Sequence, residues 1–351
     1  MPYNTFKNFE MNPKIFFITI ITLTLTSCQI DSGRMYKFHI KPKYDFAGYF
    51  DKSGYAKVNV NGKWGFITRE GKILIKPIYD DVFYFAENGL AAVKLNEKWG
   101  YINTKGKIII PIEFDFTFKF SKNGLAFISQ GEKCGYIDSN GKIKIQPTLE
   151  NCGNFTQSNL AFFKENTKYG YVNERGRIAI EPKFDSAHNF QNSLAVISND
   201  KRYGAIDKNG TFIIEPRFDY LSDFSESGLA IFEDGEKQGV IDNTGKIIVE
   251  PKFDYIGDFS NLNLAMVQLN GQFTFIDTKG NLIANPNFES FEDYSKYAVM
   301  KFEDGGFYGF KDYSGKVIIE PTFQFAGAFA SFGLAPVMHK NKWGYIKLIQ
   351  R

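Results

Sequence analysis

Short apolar runs rich in β-branched and aromatic residues alternate with polar turn clusters along almost the whole chain. One cycle spans residues 89–123, where Gly-Leu-Ala-Ala-Val-Lys-Leu, Trp-Gly-Tyr-Ile-Asn and Lys-Ile-Ile-Ile-Pro-Ile-Glu-Phe-Asp are separated by Asn-Glu-Lys and Thr-Lys-Gly. Runs of this length and composition between turn residues predict a three-stranded antiparallel β-meander. Pairs such as Phe162-Phe163, Val196-Ile197 and Ile231-Phe232 place apolar side chains at consecutive positions. Neighbouring strand residues point to opposite faces, so both faces of each meander are expected to be covered.

The cycle repeats nine times at about 35 residues. An aromatic–Gly–aromatic step marks it, as in Trp64-Gly65-Phe66, Trp99-Gly100-Tyr101 and Trp343-Gly344-Tyr345, and prolines from Pro42 to Pro321 keep the same beat. A fixed period in this range signals a repeat architecture whose units bury their apolar faces on one another. The second turn carries Asp or Asn three residues before Gly (Asn103/Gly106, Asp138/Gly141, Asp207/Gly210). This suits a type I turn closed by a positive-φ glycine better than a calcium site, for which the step has too few oxygens. The expected fold is all-β, with nine three-stranded meanders in an open, curved superhelical array. A closed propeller-like ring is the alternative, since residues 36–42 imitate a third strand and the chain stops after a second. Nine blades, and 35 residues for four strands, weigh against the ring.

The pattern Lys98-Trp99-Gly100-Tyr101-Ile102-Asn103, Gly106-Lys107-Ile108, Pro111, Phe114-Asp115 and Gly124-Leu125-Ala126 resembles the WG-repeat family over essentially the whole chain from residue 35. The resemblance implies a scaffold without a shared activity. Tyr169, Tyr203, Tyr308, Phe273, Cys134 and Gln238 depart from its Trp, and Thr274 from its Gly. The seventh unit, which holds Thr274, is therefore the one whose hairpin is expected to deviate.

The N-terminus belongs to a different system. Lys14, the apolar run Ile15–Leu25 and Thr26-Ser27-Cys28 form a secretory h-region too short to span a bilayer. The ending resembles the bacterial lipobox, so residues 1–28 are read as a lipoprotein signal ending at the lipidated Cys28, with translation starting at Met1 or Met11. Residues 29–34 form a tether and 35–351 the repeat domain. Gln29, rather than Asp, after the Cys points to the outer membrane by the rule for such lipoproteins. Cys134 and Cys152 replace hydrophobic repeat residues; they read as buried thiols, although an exported compartment permits a disulfide.

Composition narrows function mainly by exclusion. The 42 basic and 39 acidic residues are spread evenly, which argues against nucleic acid. No metal-type Cys/His spacing occurs, and no cofactor is implied. Lys63, Lys98, Lys133, Lys168, Arg202, Lys237 and Lys342 precede the aromatic step and would align as a basic stripe, offset by Glu181, Glu215, Glu250 and Glu320. Asp45, Asp80, Asp115, Asp185, Asp219 and Asp254 recur in equivalent settings, which is a structural signal rather than a catalytic pair. The chain is therefore expected to be a non-enzymatic scaffold, lipid-anchored at the cell envelope, that binds a protein or glycan. The alternative is a propeller-like enzyme acting on extracellular glycans, which a non-repeating cluster of His, Ser or carboxylates would favour.

Overall fold

A computed structural model describes residues 35–351 apart from 157, 260–262, 284–298, 313–314 and 350–351. Cys28, Met1, Met11 and the proposed tether lie outside the described residues. Residues 35–351 form one compact unit, and every described element is a strand except a single 3-10 turn at Ser331–Gly333.

The second unit shows the plan. A short strand (Asp81–Val82), a Leu-Ala strand (Leu90–Leu95), a Trp-Gly strand (Lys98–Asn103) and a proline strand (Ile108–Phe114) pair antiparallel in chain order. The meanders are thus four-stranded where three strands were expected. The repeat finds room because the fourth strand is only two residues long and follows the preceding proline strand after one residue, Asp80. Between Leu-Ala and Trp-Gly strands the turns are tight, with Asn61, Asn96 and Asn270 at positive φ. At the next turn, Asn103 Oδ1 accepts the N–H groups of Lys105 and Lys107 at 3.0 Å, and Gly106 sits at φ +77°. This is the Asx turn with a positive-φ glycine that the spacing predicts, and its carboxylate or amide oxygen is occupied by backbone.

Both faces are covered. Leu90, Ala91, Ala92 and Val93 are all buried, as are Trp99 to Ile102. Each core cluster draws on adjacent units, such as Phe66, Ile75 and Tyr79 with Ala91, Val93 and Ile102. Units therefore exclude water from one another's faces, and none is a free-standing domain.

The nine tandem meanders expected from the sequence are present. Their ends, which an open superhelix would leave apart, are joined. Tyr36–Tyr44 pairs antiparallel with Lys342–Leu348 and serves as the ninth unit's proline strand. Ile40, Tyr44, Ala47 and Val58 share a core with Leu334 and Tyr345. The first strand thus completes the ninth sheet with the same register as a proline strand inside the chain, Trp343 facing Tyr44 and Tyr345 facing Ile40 as Trp64 faces Tyr79 and Phe66 faces Ile75. The third and fourth units depart locally: Glu150 pairs with Lys164, merging their strands into one seven-stranded sheet.

Candidate functional site

The aromatic–Gly step is a site of backbone approach. A Cβ placed on Gly65 would lie 2.4 Å from Ile75 O and 2.7 Å from Pro77 N, and the same obstruction recurs from Gly100 to Gly344. The cause is a bulge in the proline strand: Phe66 faces Ile75 while Trp64 faces Tyr79. Proline therefore stands inside that strand, at its bulge, rather than after it as the sequence suggested; there its missing N–H costs no ladder bond. At the seam, Gly344 meets Ile40 O and Pro42 in the same way. In the seventh unit Thr274 stands off instead, its hydroxyl donating to Ile283 O at 3.1 Å.

The aromatic that follows the glycine staples units together. Tyr101, Tyr136, Tyr171 and Tyr345 are fully buried. Their hydroxyls donate to the carbonyls of Phe118 (2.6 Å), Gly153 (2.5 Å), His188 (2.8 Å) and Gly48 (2.6 Å) in the next unit. The aromatic before the glycine varies in exposure: Trp99 is buried at 3%, whereas Trp64 and Trp343 are half-buried.

All seven predicted stripe residues are paired. Lys63, Lys98, Lys133, Lys168, Arg202, Lys237 and Lys342 meet Asp80, Asp115, Glu150, Asp185, Asp219, Asp254 and Asp45 respectively. The offsetting carboxylates are thus the Asp residues after the proline strand, with Glu150 in their place in one unit, not the Glu residues before the prolines. The sequence presented the two sets as separate features because partners lie 17 positions apart, across a unit boundary. The Lys hydrogen bond holds Asp45, Asp80, Asp115, Asp185, Asp254 and Glu150 below the ordinary carboxylate range. Most of these carboxylates also accept a backbone N–H from the next hairpin, as Asp80 does from Asn96 at 2.8 Å. Exposed pairs of this kind contribute little to stability, so their effect is to fix the register between units.

Cys134 and Cys152 form a disulfide, which corrects the expectation of buried thiols. Cys134 occupies the position of Trp99, and Cys152 that of Thr117 on the next unit's short strand. Two small side chains at this boundary bring the sulfurs into bonding reach where Trp99 and Thr117 fill the space in the preceding pair.

Sequence reasoning missed the segment after each short strand. Its third residue is a core Phe in most units (Phe50, Phe85, Phe120, Phe155, Phe190, Phe224, Phe329), while the two before it differ. They read Gly48-Tyr49, Phe83-Tyr84, Phe118-Lys119, Gly153-Asn154, His188-Asn189, Ser222-Asp223, Gly257-Asp258 and Gly327-Ala328. Variation inside an otherwise constant repeat was the available signal. Adjacent segments touch: Tyr84 donates to Tyr49 O (2.9 Å), Ala328 N–H donates to Tyr49 Oη (2.9 Å), and His188 Nδ1 lies 2.9 Å from Asp223. Asp223 raises the His188 pKa against an opposing effect of burial. A pocket of about 300 Å³ opens between these segments, with Ser222, Asp223, Ser225 and Asp258 above Leu229 and Ile231.

The structure thus assembles a non-repeating His, Ser and Asp cluster that the sequence did not reveal. Its hydroxyls are committed locally. Ser222 Oγ donates to Asp223 O (3.1 Å) and accepts from Ile231 N (2.9 Å), while Ser225 Oγ pairs with Ser227 Oγ (2.8 Å). No group of three or more His, Cys, Asp or Glu residues placed to hold a metal occurs among the described residues.

Backbone and pairing positions that recur from unit to unit among the described residues define a tandem β-repeat scaffold. The chain belongs to the WG-repeat family: the family model, described as WG containing repeat, matches residues 37–64, 64–99, 99–134, 135–169, 169–203, 203–237, 239–273, 273–304 and 308–343. A search of curated proteins returned no match. Among solved structures, the crystal structure of a eukaryotic initiation factor is similar at a TM-score of 0.58 and 9% identity, covering 90% of this chain and 92% of that one. That likeness concerns the fold alone. The structure of Sqt1 from Saccharomyces cerevisiae matches at 0.41 and 11%, covering 90% and 98%.

Proposed function

We propose that this protein is a non-enzymatic binding scaffold, lipid-anchored through Cys28 at the bacterial cell envelope, on the outer membrane, and that it recognises a protein or glycan ligand. The observation that carries this reading is how the chemistry-bearing repeat positions are used. The Lys–Asp pairs and the Tyr hydroxyls hold units together and the turn Asp and Asn residues close their own turns, leaving the variable segments and exposed junctions to meet a ligand. The Cys134–Cys152 disulfide supports export, since such bonds persist in oxidising compartments. Two acyl signals give firm anchoring where a single chain binds only marginally.

Two experiments test the parts separately. Palmitate labelling should be lost in Cys28→Ser, and unchanged labelling overturns the anchor. The chain immobilised as bait should enrich a defined envelope protein or polysaccharide fraction over a bait denatured by reduction and heat; equal recovery on both overturns the scaffold.

A second reading, an enzyme acting on extracellular glycans, is favoured by the His188–Asp223 pair beside Ser222, Ser225 and Asp258. It requires release of reducing sugar from envelope polysaccharide that disappears in His188→Ala.

A further inference from the structure

The Lys–Asp clamp has one local replacement. Both clamp positions are described at eight unit junctions, and seven carry the ion pair. At the eighth, between the eighth and ninth units, Phe307 stands in the basic position and Gln324, seventeen residues on, in the carboxylate position. Both halves of the pair have changed together. Gln324 keeps the turn-holding half of the role: its Oε1 accepts the Asn341 N–H at 2.7 Å, and its Nε2 donates to Asn341 Oδ1 at 2.6 Å. The charged half is gone.

Exposed aromatic surface lies at this junction, as Phe46 lies beside Trp343 and Trp64 at the junction that keeps the Lys342–Asp45 pair. Phe325 (53%) and Phe307 (46%) are the two most exposed aromatic side chains among the described residues. Phe325 lies between two near-parallel neighbours, Tyr308 at 6.0 Å and 21° and Trp343 at 6.4 Å and 19°. The three rings form a row across the junction, with the Gln324–Asn341 amides beside it and the Lys342–Asp45 pair at the Trp343 end. Core aromatics in this chain meet mostly tilted or edge-on, as Tyr101 meets Phe120 at 49° and Tyr171 meets Phe190 at 61°.

We propose that this junction binds an uncharged glycan chain, a proposal that rests on the scaffold reading above and gives it a ligand class and a place. A hexose ring has an apolar C–H face and a rim of hydroxyls. Rings spaced in a row suit successive sugar faces, while amides and an ion pair at the edge suit the hydroxyls. The junction has exchanged its clamp cation and carboxylate for Phe307 and Gln324, and a cation that remains, Lys301, lies over the Tyr308 ring at 5.3 Å. An extended amphipathic partner would be better served at the seven junctions that keep both charges.

The test uses the full chain in detergent, titrated with cellohexaose, xylohexaose and mannohexaose, with hexagalacturonate and hexaproline as contrasts, followed by tryptophan fluorescence and calorimetry. At least one neutral hexasaccharide should bind, and Phe325→Ala should weaken it roughly tenfold, as expected for loss of one aromatic stacking partner. The double variant F307K with Q324D rebuilds the clamp used elsewhere. It should keep the melting temperature and abolish binding, which separates recognition from folding. Absence of binding by all three neutral chains overturns the glycan assignment, as does binding unchanged in F307K/Q324D. Binding of hexaproline or hexagalacturonate alone, lost in the same double variant, overturns the uncharged-glycan assignment but supports the scaffold. Phe325-dependent dimers in sedimentation overturn it in favour of self-association.

Discussion

Tyr345 donates its hydroxyl to the carbonyl of Gly48 at 2.6 Å, across 297 residues of sequence, as Tyr136 does to Gly153 only 17 residues on. The contact between last and first units is thus the ordinary contact between neighbours. Lys342 with Asp45, and Gly344 with the Ile40–Pro42 bulge, repeat the equivalence.

That equivalence predicts that Tyr345→Phe and Tyr136→Phe cost the same, about 1–2 kcal/mol each, because each leaves a carbonyl without its donor. Chemical denaturation checks this. An effect confined to Tyr136→Phe would mean that the ends are not joined in solution.

Deleting residues 35–45 should remove the ninth unit's proline strand and its clamp carboxylate together. The expected result is a lower, broader unfolding transition for the whole array, because the loss uncovers both end sheets. A transition matching that of the intact chain would show that the seam contributes nothing.

Gly204→Val should destabilise by more than ~3 kcal/mol, since its Cβ would lie 2.4 Å from Ile214 O on a backbone that cannot move aside. Gly271 has nothing near its Cβ, so Gly271→Asn, which suits its positive φ, should be nearly neutral. Equal midpoints for the two variants would remove the close-approach account of the aromatic–Gly step.

Replacing Cys134 and Cys152 with Ala should cost about 2–4 kcal/mol, as expected when a short covalent loop is opened. Reductant should lower the unfolding midpoint of the parent chain and leave the double variant unchanged. Alkylation of either cysteine in the unreduced, denatured parent would show the bond is absent.

The raised His188 pKa has a definite pH signature. Its imidazolium gains the Asp223 partner in the folded state, so the stabilisation is fully present below the ordinary value near 6.5. It is lost as pH rises through the higher folded value, and it is small because both groups are partly exposed. NMR titration should place His188 above 6.5 in the parent and lower in Asp223→Asn; identical titrations would dismiss the pair.

The sequence by itself determined the all-β class, the nine-fold period and the Asx–Gly turn between the Trp-Gly and proline strands. Those properties are local: strand pattern, turn chemistry and spacing lie within a few residues of one another, and nine copies restate them. Tertiary structure alone decided what joins across unit boundaries. Lys63 looked like part of a stripe offset by Glu residues and Asp80 like a separate recurring feature until the fold placed them together, and Cys134 and Cys152 looked like two apolar substitutions. The pairing of Tyr36–Tyr44 with Lys342–Leu348 was legible only as an alternative, because a segment that imitates a third strand reads as a strand wherever its partner lies. The variable segment holding His188 and Asp223 escaped notice for the opposite reason: its meaning lies in how it differs from its copies, and only the packing of one unit on the next brings the two side chains together.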